Sequence, residues 1–300
     1  MTAPVRCALI GAVGQLGFDL ARTFDQPGEL FRLARADLDV LDRGAVERVL
    51  RDLRPTLVVN TAAYNLVDRA EEDQATAFAL NAGAVGTLAD VSDALGATFV
   101  HFSTDYVFDG RRSTPYGEHD APAPLGAYGR SKLEGERLAL TRCRRAFVFR
   151  VSGLYGVARS AGKGGTNFVE TMLRLARAGQ SIRVVRDQLL TPSYTRDLAP
   201  KVWRVVARAA PGLYHLTNAG ETSWYDFARE IFRLSGLAPA LTAVTAAEYG
   251  ARAMRPAYSV LGHGRLVAAG EDDLRPWPDA LAAYLRERAE VSAAPAQAGL

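Results

Sequence analysis

Cysteine is scarce in this sequence, and the scarcity excludes two kinds of architecture. Two residues, Cys7 and Cys143, cannot build a disulfide framework. No second Cys or His stands at ligand spacing from either, so no structural zinc site is expected. Long apolar runs are also missing. No stretch of about 20 apolar residues is available to span a membrane. Gly11, Gly14 and Gln15 interrupt the first apolar run too early for a signal peptide. A cytoplasmic protein is the default expectation. Dense charge is absent too. The formal net charge is +3, and the longest basic cluster, Arg142 to Arg145, is broken by Cys143 and reads as a solvated helix end. Neither nucleic acid nor a membrane is therefore an expected partner.

Apolar residues, in contrast, are plentiful: 48% of 300 residues is enough for a large core. Their spacing alternates between two periods. Val5–Ile10 (with Cys7) and the runs 30–33, 56–60, 97–103 and 146–151 read as strands. Leu16, Leu20 and Phe24 share one helical face, and Val46, Val49, Leu50 and Leu53 another that Pro55 ends. Residues 71–95 are Ala-rich and helical up to Gly96, and 127–141 form a further helix. Strand–helix alternation of this kind predicts an α/β, Rossmann-type doubly wound parallel sheet, with ligands at the C-terminal ends of its strands. Residues 1–151 are expected to form a dinucleotide-binding domain, to which elements around 181–210 return. Residues 152–288 are expected to supply mainly a smaller, C-terminal substrate-binding lobe. The Ala/Pro/Gln/Gly-rich stretch within 289–300 reads as a disordered tail.

Several chemically distinctive groups fall at those strand ends. Gly11-Ala-Val-Gly14-Gln15-Leu16-Gly17 joins the first strand to a helix. Free amides and the dipole at a helix N-terminus suit a pyrophosphate, and glycine lets it approach the backbone. The GxxGxxG spacing differs from the best-known dinucleotide fingerprint, so its strand–loop–helix setting carries the inference. At the end of the second strand stands Arg35 rather than an acidic residue, which favours the 2′-phosphate of NADPH over NADH. Asp39 and Val40 follow near the adenine end, and Asp42 reads as a helix cap.

Tyr128-Gly-Arg-Ser-Lys132 places a phenol and an ammonium one helical turn apart. An unperturbed phenol, with a pKa of about 10, is a poor proton donor near neutrality, and a neighbouring ammonium is expected to lower it. Thr104, just after the fourth strand, could hold the same carbonyl oxygen. Asp105 reads as a turn former, as does Asp109-Gly110.

These segments resemble a known family. Gly11 to Gly17, Asn60-Thr-Ala62-Ala63-Tyr64 with Val67-Asp68-Arg-Ala-Glu71, Ser103 to Gly110 and the Tyr128–Lys132 pair are similar to extended short-chain dehydrogenase/reductases. More narrowly they resemble the dTDP-4-dehydrorhamnose reductase family, as do Asn167-Phe168, Asp187-Gln188 with Thr191-Pro192, and Arg255-Pro256. The resemblance covers about residues 5–285. It implies reduction by NADPH, or NADH, of the 4-keto group of dTDP-4-dehydro-L-rhamnose to dTDP-L-rhamnose. It also implies Tyr128 as the acid, Lys132 as its modulator and ribose ligand, and Thr104 and Asp105 as sugar contacts. Gln15, Leu16, Asp39, Val40, Ala62, Ala63 and Tyr64 would line the cofactor, and Gly153, Asn167 and Arg255 the substrate. A homodimer stays open. So does Mg²⁺: some relatives are described with it, while no acidic ligand set stands out here.

Three departures concern the sugar. Gly153 replaces a usual Trp, Tyr258 a usual Asn, and Asn65 a usual Thr. Two alternatives follow, a 4-ketoreductase for another dTDP-deoxysugar and a non-catalytic nucleotide-binding relative. Thr104, Tyr128 and Lys132 all stand, which favours the enzyme. Tyr106 after Asp105 argues against a dehydratase, which would have an acidic pair there.

Overall fold

The computed structural model describes residues 4–158 and 166–293; the glycines at 162–165 and residues 294–300 lie outside the described residues. Six parallel strands form the central sheet: β1 (Val5–Ile10), β2 (Gly28–Leu33), β3 (Leu57–Asn60), β4 (Thr98–Thr104), β5 (Ala146–Val151) and β6 (Gly212–His215). Their order is β6-β5-β4-β3-β1-β2. The winding reverses between β1 and β3, which opens a crevice between the loops that follow those two strands.

The inner strands are largely apolar on both faces because helices cover both, while the edge strand β2 keeps Glu29 and Arg32 exposed. Every residue of β3 and β4 is buried. On one face Leu9, Phe147 and Val151 pack with Leu16 and Leu20 of the helix Gln15–Arg22, and with Val202 and Trp203 of the helix Thr195–Arg208. On the other, Ile10, Val58, Phe99 and Val148 meet Val46, Leu50, Val85 and Leu88 of the helices Arg43–Leu53 and Ala84–Ala94.

The long helix expected over 71–95 has an inner structure that the sequence pattern does not show. A 3-10 turn, Arg69–Glu71, precedes it, and Ala79–Gly83 is a π-helical turn between the α segments Gln74–Phe78 and Ala84–Ala94. The wide turn carries Asn81, which is fully buried. Its side chain accepts from Tyr64 N at 2.9 Å, and donates to Tyr64 O at 2.9 Å and to Ser131 Oγ at 3.0 Å. A π turn at a functional wall is a recurrent use of this irregular geometry.

The smaller lobe holds the helices Phe168–Arg177, Trp224–Ser235 and Trp277–Ala293 around Met172, Phe227, Ile231 and Tyr284. Two details differ from the sequence expectation. Ile182–Val185 does not return to the central sheet; it pairs in parallel with Leu241–Val244 inside the lobe, where Ile182 and Val184 join the lobe core. The helix Thr195–Arg208 and β6 do return. The last helix runs to Ala293, five residues into the segment expected as a tail. Ala289 and Glu290 are good helix formers, and the first breaker in the sequence is Pro295.

Candidate active site

A cavity of about 710 Å³ occupies the crevice at the switch point, along the C-terminal ends of the strands. Its first wall is the glycine loop. Gly11 has φ +78°, and a Cβ there would lie 2.6 Å from Thr61 Oγ1. A Cβ on Gly17 would collide with the Gly11 carbonyl oxygen, so the helix can approach the strand only without a side chain there. Gly14 is the N-cap of the helix Gln15–Arg22 and offers no side-chain cap. The amides of that helix start are thus left for a ligand, in a cradle that fits a pyrophosphate. Gln15 and Leu16 line the same wall.

Arg35, Asp39 and Val40 line the far end, with Arg35 exposed and Val40 buried. Asp39 Oδ1 accepts from Leu41 N at 3.0 Å, and Asp42 caps the next helix through Ala45 N at 3.0 Å. Ala62, Ala63 and Tyr64, after β3, form the opposite wall.

The other end of the cavity gathers Thr104, Asp105, Tyr128, Lys132 and Gly153. Tyr128 and Lys132 sit in the first turns of the helix Ala127–Arg142. That helix has no cap of its own; Glu71 Oε1, from the Val67 to Glu71 motif, accepts the Ala127 amide at 2.8 Å. Gly129 and Gly135 let the helix lie against the Tyr106 and Asn81 carbonyls, where any Cβ would collide. Ser131 Oγ, held by Asn81, donates to Tyr128 O at 2.8 Å.

The electrostatics of the pair reverse the sequence expectation. Burial pushes the Tyr128 phenol up to about 12, against the pull of the Thr104 hydroxyl. Burial pushes Lys132 down to about 8, with Glu136 acting the other way. Lys132 Nζ donates to the Phe102 carbonyl and lies 3.4 Å from His101 Nε2. Desolvation therefore outweighs the mutual help that spacing alone suggests.

Asp105 is a hub rather than a turn residue. It is 3% exposed and receives hydroxyl protons from Thr104 (3.0 Å), Ser152 (2.8 Å) and Ser259 (2.6 Å). Burial still pushes its carboxyl up to about 6. Thr104 has one hydroxyl proton, and in donating it to Asp105 it cannot also donate to Tyr128 or to a substrate oxygen, which requires the hydroxyl to turn.

Two of the sequence-derived substrate residues stand apart from the cavity. Asn167 caps the helix Phe168–Arg177 through Glu170 N (3.0 Å) and donates to Gly156 O at 3.1 Å. Arg255 forms a two-pronged pair with Asp68, at 2.7 and 3.1 Å. Tyr258 turns to Glu221 at 2.7 Å, which leaves its neighbour Ser259 to reach Asp105. Gly153 has φ +51°, and a Cβ there would lie 2.9 Å from Leu190 Cδ1. The apolar wall at this end comes instead from Leu154, Phe168, Leu190 and Trp224 of the lobe, with the Phe168 and Trp224 rings 4.6 Å apart. Leu190 and Trp224 carry no mark in the sequence, and Phe168 is marked only through the Asn167-Phe168 match. Asn81 also carries no mark in the sequence.

A family model described as the RmlD substrate binding domain matches residues 5–290. The chain belongs to this RmlD family. Among curated relatives, the spore coat polysaccharide biosynthesis protein SpsK of Bacillus subtilis is 42% identical over 94% of this chain and 97% of its own. A probable dTDP-4,6-dihydroxy-2-methyloxan-3-one 4-ketoreductase of Streptomyces antibioticus is also 42% identical, over 92% and 93%. The crystal structure of dTDP-4-dehydrorhamnose reductase from Bacillus anthracis in complex with NADP superposes with a TM-score of 0.90, at 34% identity, over 95% of this chain and all of that one. Among the described residues, no helix is long and apolar enough to cross a membrane, and no group of three or more His, Cys, Asp and Glu is placed to hold a metal ion.

Proposed function

We infer that this RmlD-family chain is an NAD(P)H-dependent reductase of the 4-keto group of a dTDP-4-keto-6-deoxy sugar, with dTDP-4-dehydro-β-L-rhamnose as substrate and dTDP-L-rhamnose as product. One observation carries the reading: Thr104, Tyr128 and Lys132 share one cavity with an uncapped, glycine-lined helix start. When bound, the reduced nicotinamide supplies the hydride. Tyr128, protonated well past neutrality, holds the proton for the carbonyl oxygen. Thr104 turns from Asp105 to grip that oxygen. Lys132, near its own titration point, carries a proton toward Tyr128 and meets the ribose. Arg35, exposed at the far end, fits NADPH over NADH.

A second reading of the sugar has its own support. Gly153 carries no side chain into the cavity, and a relative equally similar to SpsK is described as acting on a different dTDP-linked ketone. The purified protein is expected to oxidise NADPH only with a dTDP-4-keto-6-deoxyhexose, and NMR at C4 of the product identifies the sugar. Clear NADPH binding without turnover on a panel of such sugars would sink the enzyme reading and favour a nucleotide-binding regulator.

A further inference from the structure

Behind Lys132, away from the cavity, two buried side chains form a polar line that the reaction as described leaves unused. Asn60 ends β3, and His101 is its register partner on β4. Asn60 is 2% exposed and His101 fully buried. Asn60 Nδ2 lies 3.4 Å from His101 Nδ1, and His101 Nε2 lies 3.4 Å from Lys132 Nζ.

The Asn60 amide is oriented by its other end. Its Oδ1 accepts from Ala62 N at 3.1 Å. The opposite flip would set an NH₂ group against that N–H. The NH₂ therefore faces the imidazole, and an NH₂ group can only donate. Nδ1 of His101 must then accept. Burial, followed by the nearby Lys132 charge, holds His101 neutral. A neutral imidazole carries a single proton, so it sits on Nε2 and faces Lys132. An Nε2–H suits the Lys132 amine, which has a lone pair, and opposes the ammonium, which has none.

Of the other titratable groups, Tyr128 and Glu136 are on the helix of Lys132, and Asp105 lines the same end of the cavity. Tyr128 lies one turn before Lys132. Glu136 lies one turn after, bound to Arg150 by two hydrogen bonds of 2.9 and 2.7 Å. Burial of Lys132 acts in the same direction as the imidazole, and the Phe102 carbonyl acts against it.

We propose that Asn60 and His101 are a positioning pair for Lys132: by presenting Nε2–H to it, they keep its neutral amine accessible and tie its charge to the Ala62 turn of the cofactor-lining loop. When a Tyr128 phenolate takes a proton from Lys132, the nitrogen keeps its lone pair, and the His101 Nε2–H donates to that pair without leaving the ring. For the ammonium to gain a second acceptor beside the Phe102 carbonyl, His101 must move its proton to Nδ1. Asn60 must then turn and release Ala62. The inference rests on the reading of Lys132 as partner to Tyr128, but its main test needs no turnover.

The chain has four histidines, so ¹⁵N-histidine NMR of the wild-type protein is tractable, with His101 assigned by the peak lost in His101→Gln. The expected result at pH 9 is a protonated Nε2 and a bare Nδ1. An Nδ1–H tautomer at that pH overturns the proposal, whatever the enzyme's activity. In His101→Gln the amide can turn its oxygen to Lys132 and hold the ammonium. The alkaline limb of kcat/KM should then move up by about one pH unit, a tenfold change in the Lys132 proton equilibrium. A folded, active variant whose limb stays in place also overturns it.

Discussion

Glu71 caps a helix that begins 56 residues later: its carboxylate accepts the Ala127 amide at 2.8 Å, one residue before Tyr128. The helix N-cap, Gly126, contributes no side chain. A negative charge at a helix start also complements the dipole. Glu71→Ala should cost about 1 kcal/mol of stability, the usual cost of a lost cap. It should also lower kcat more than it raises KM, because Tyr128 is the residue set loose. Glu71→Gln keeps an acceptor and should recover most of both. Denaturant melts and steady-state kinetics on the two variants check this. Equal loss in both would assign Glu71 to charge rather than to the cap.

Tyr128→Phe removes the proposed acid and little else. The ring still packs edge-on to Tyr106, whose centroid is 6.1 Å away. Turnover should fall roughly a hundredfold or more, the range for loss of a general acid. NADPH affinity, measured by fluorescence titration, should change little. An unchanged rate would remove Tyr128 from the chemistry.

Asp105 predicts a pH dependence of stability. Burial raises its carboxyl from 3.8 to about 6. Between those values the folded protein keeps a proton that the unfolded chain has lost. Stability therefore falls as pH rises from about 4 to about 6, and is flat above, by up to about 3 kcal/mol from this one group. Asparagine cannot ionise. The stability of Asp105→Asn relative to wild type should thus improve over that window and level off near pH 6.5. Urea unfolding at several pH values measures it, and a constant difference would mean that the carboxylate is not destabilised by burial.

The sheet was largely legible because its inner strands are short apolar runs buried on both faces, and its helices show a clear 3.6 period. The glycine loop, Tyr64, Thr104, Tyr128 and Lys132 were legible for a related reason: each lies at or near a strand end or on one helical turn. What escaped depends on distant partners. The π turn at Ala79–Gly83 goes with an Asn81 side chain that bonds Tyr64, 17 residues earlier. Asp105 reads locally as a turn residue, and only Ser152 and Ser259, 47 and 154 residues away, make it a hub. The mutual effect of Tyr128 and Lys132 was misjudged because spacing reports proximity and not desolvation. Ile182–Val185 reads as one more strand, and nothing local tells which sheet it joins.

Arg35 gives the sharpest test of cofactor choice. It lines the cavity where β2 ends, exposed and free to meet a phosphate. Asp39, the nearby carboxylate, is engaged with Leu41 N. A charged hydrogen bond of this kind contributes about 1.5–3 kcal/mol, which corresponds to roughly 10- to 150-fold in kcat/KM. Arg35→Ser should therefore lower kcat/KM for NADPH by that factor and leave NADH nearly untouched. The comparison needs both cofactors at one saturating sugar concentration, since a damaged glycine loop would weaken them alike. A parallel loss with NADPH and NADH would show that Arg35 acts on the fold of the loop and does not read the 2′-phosphate.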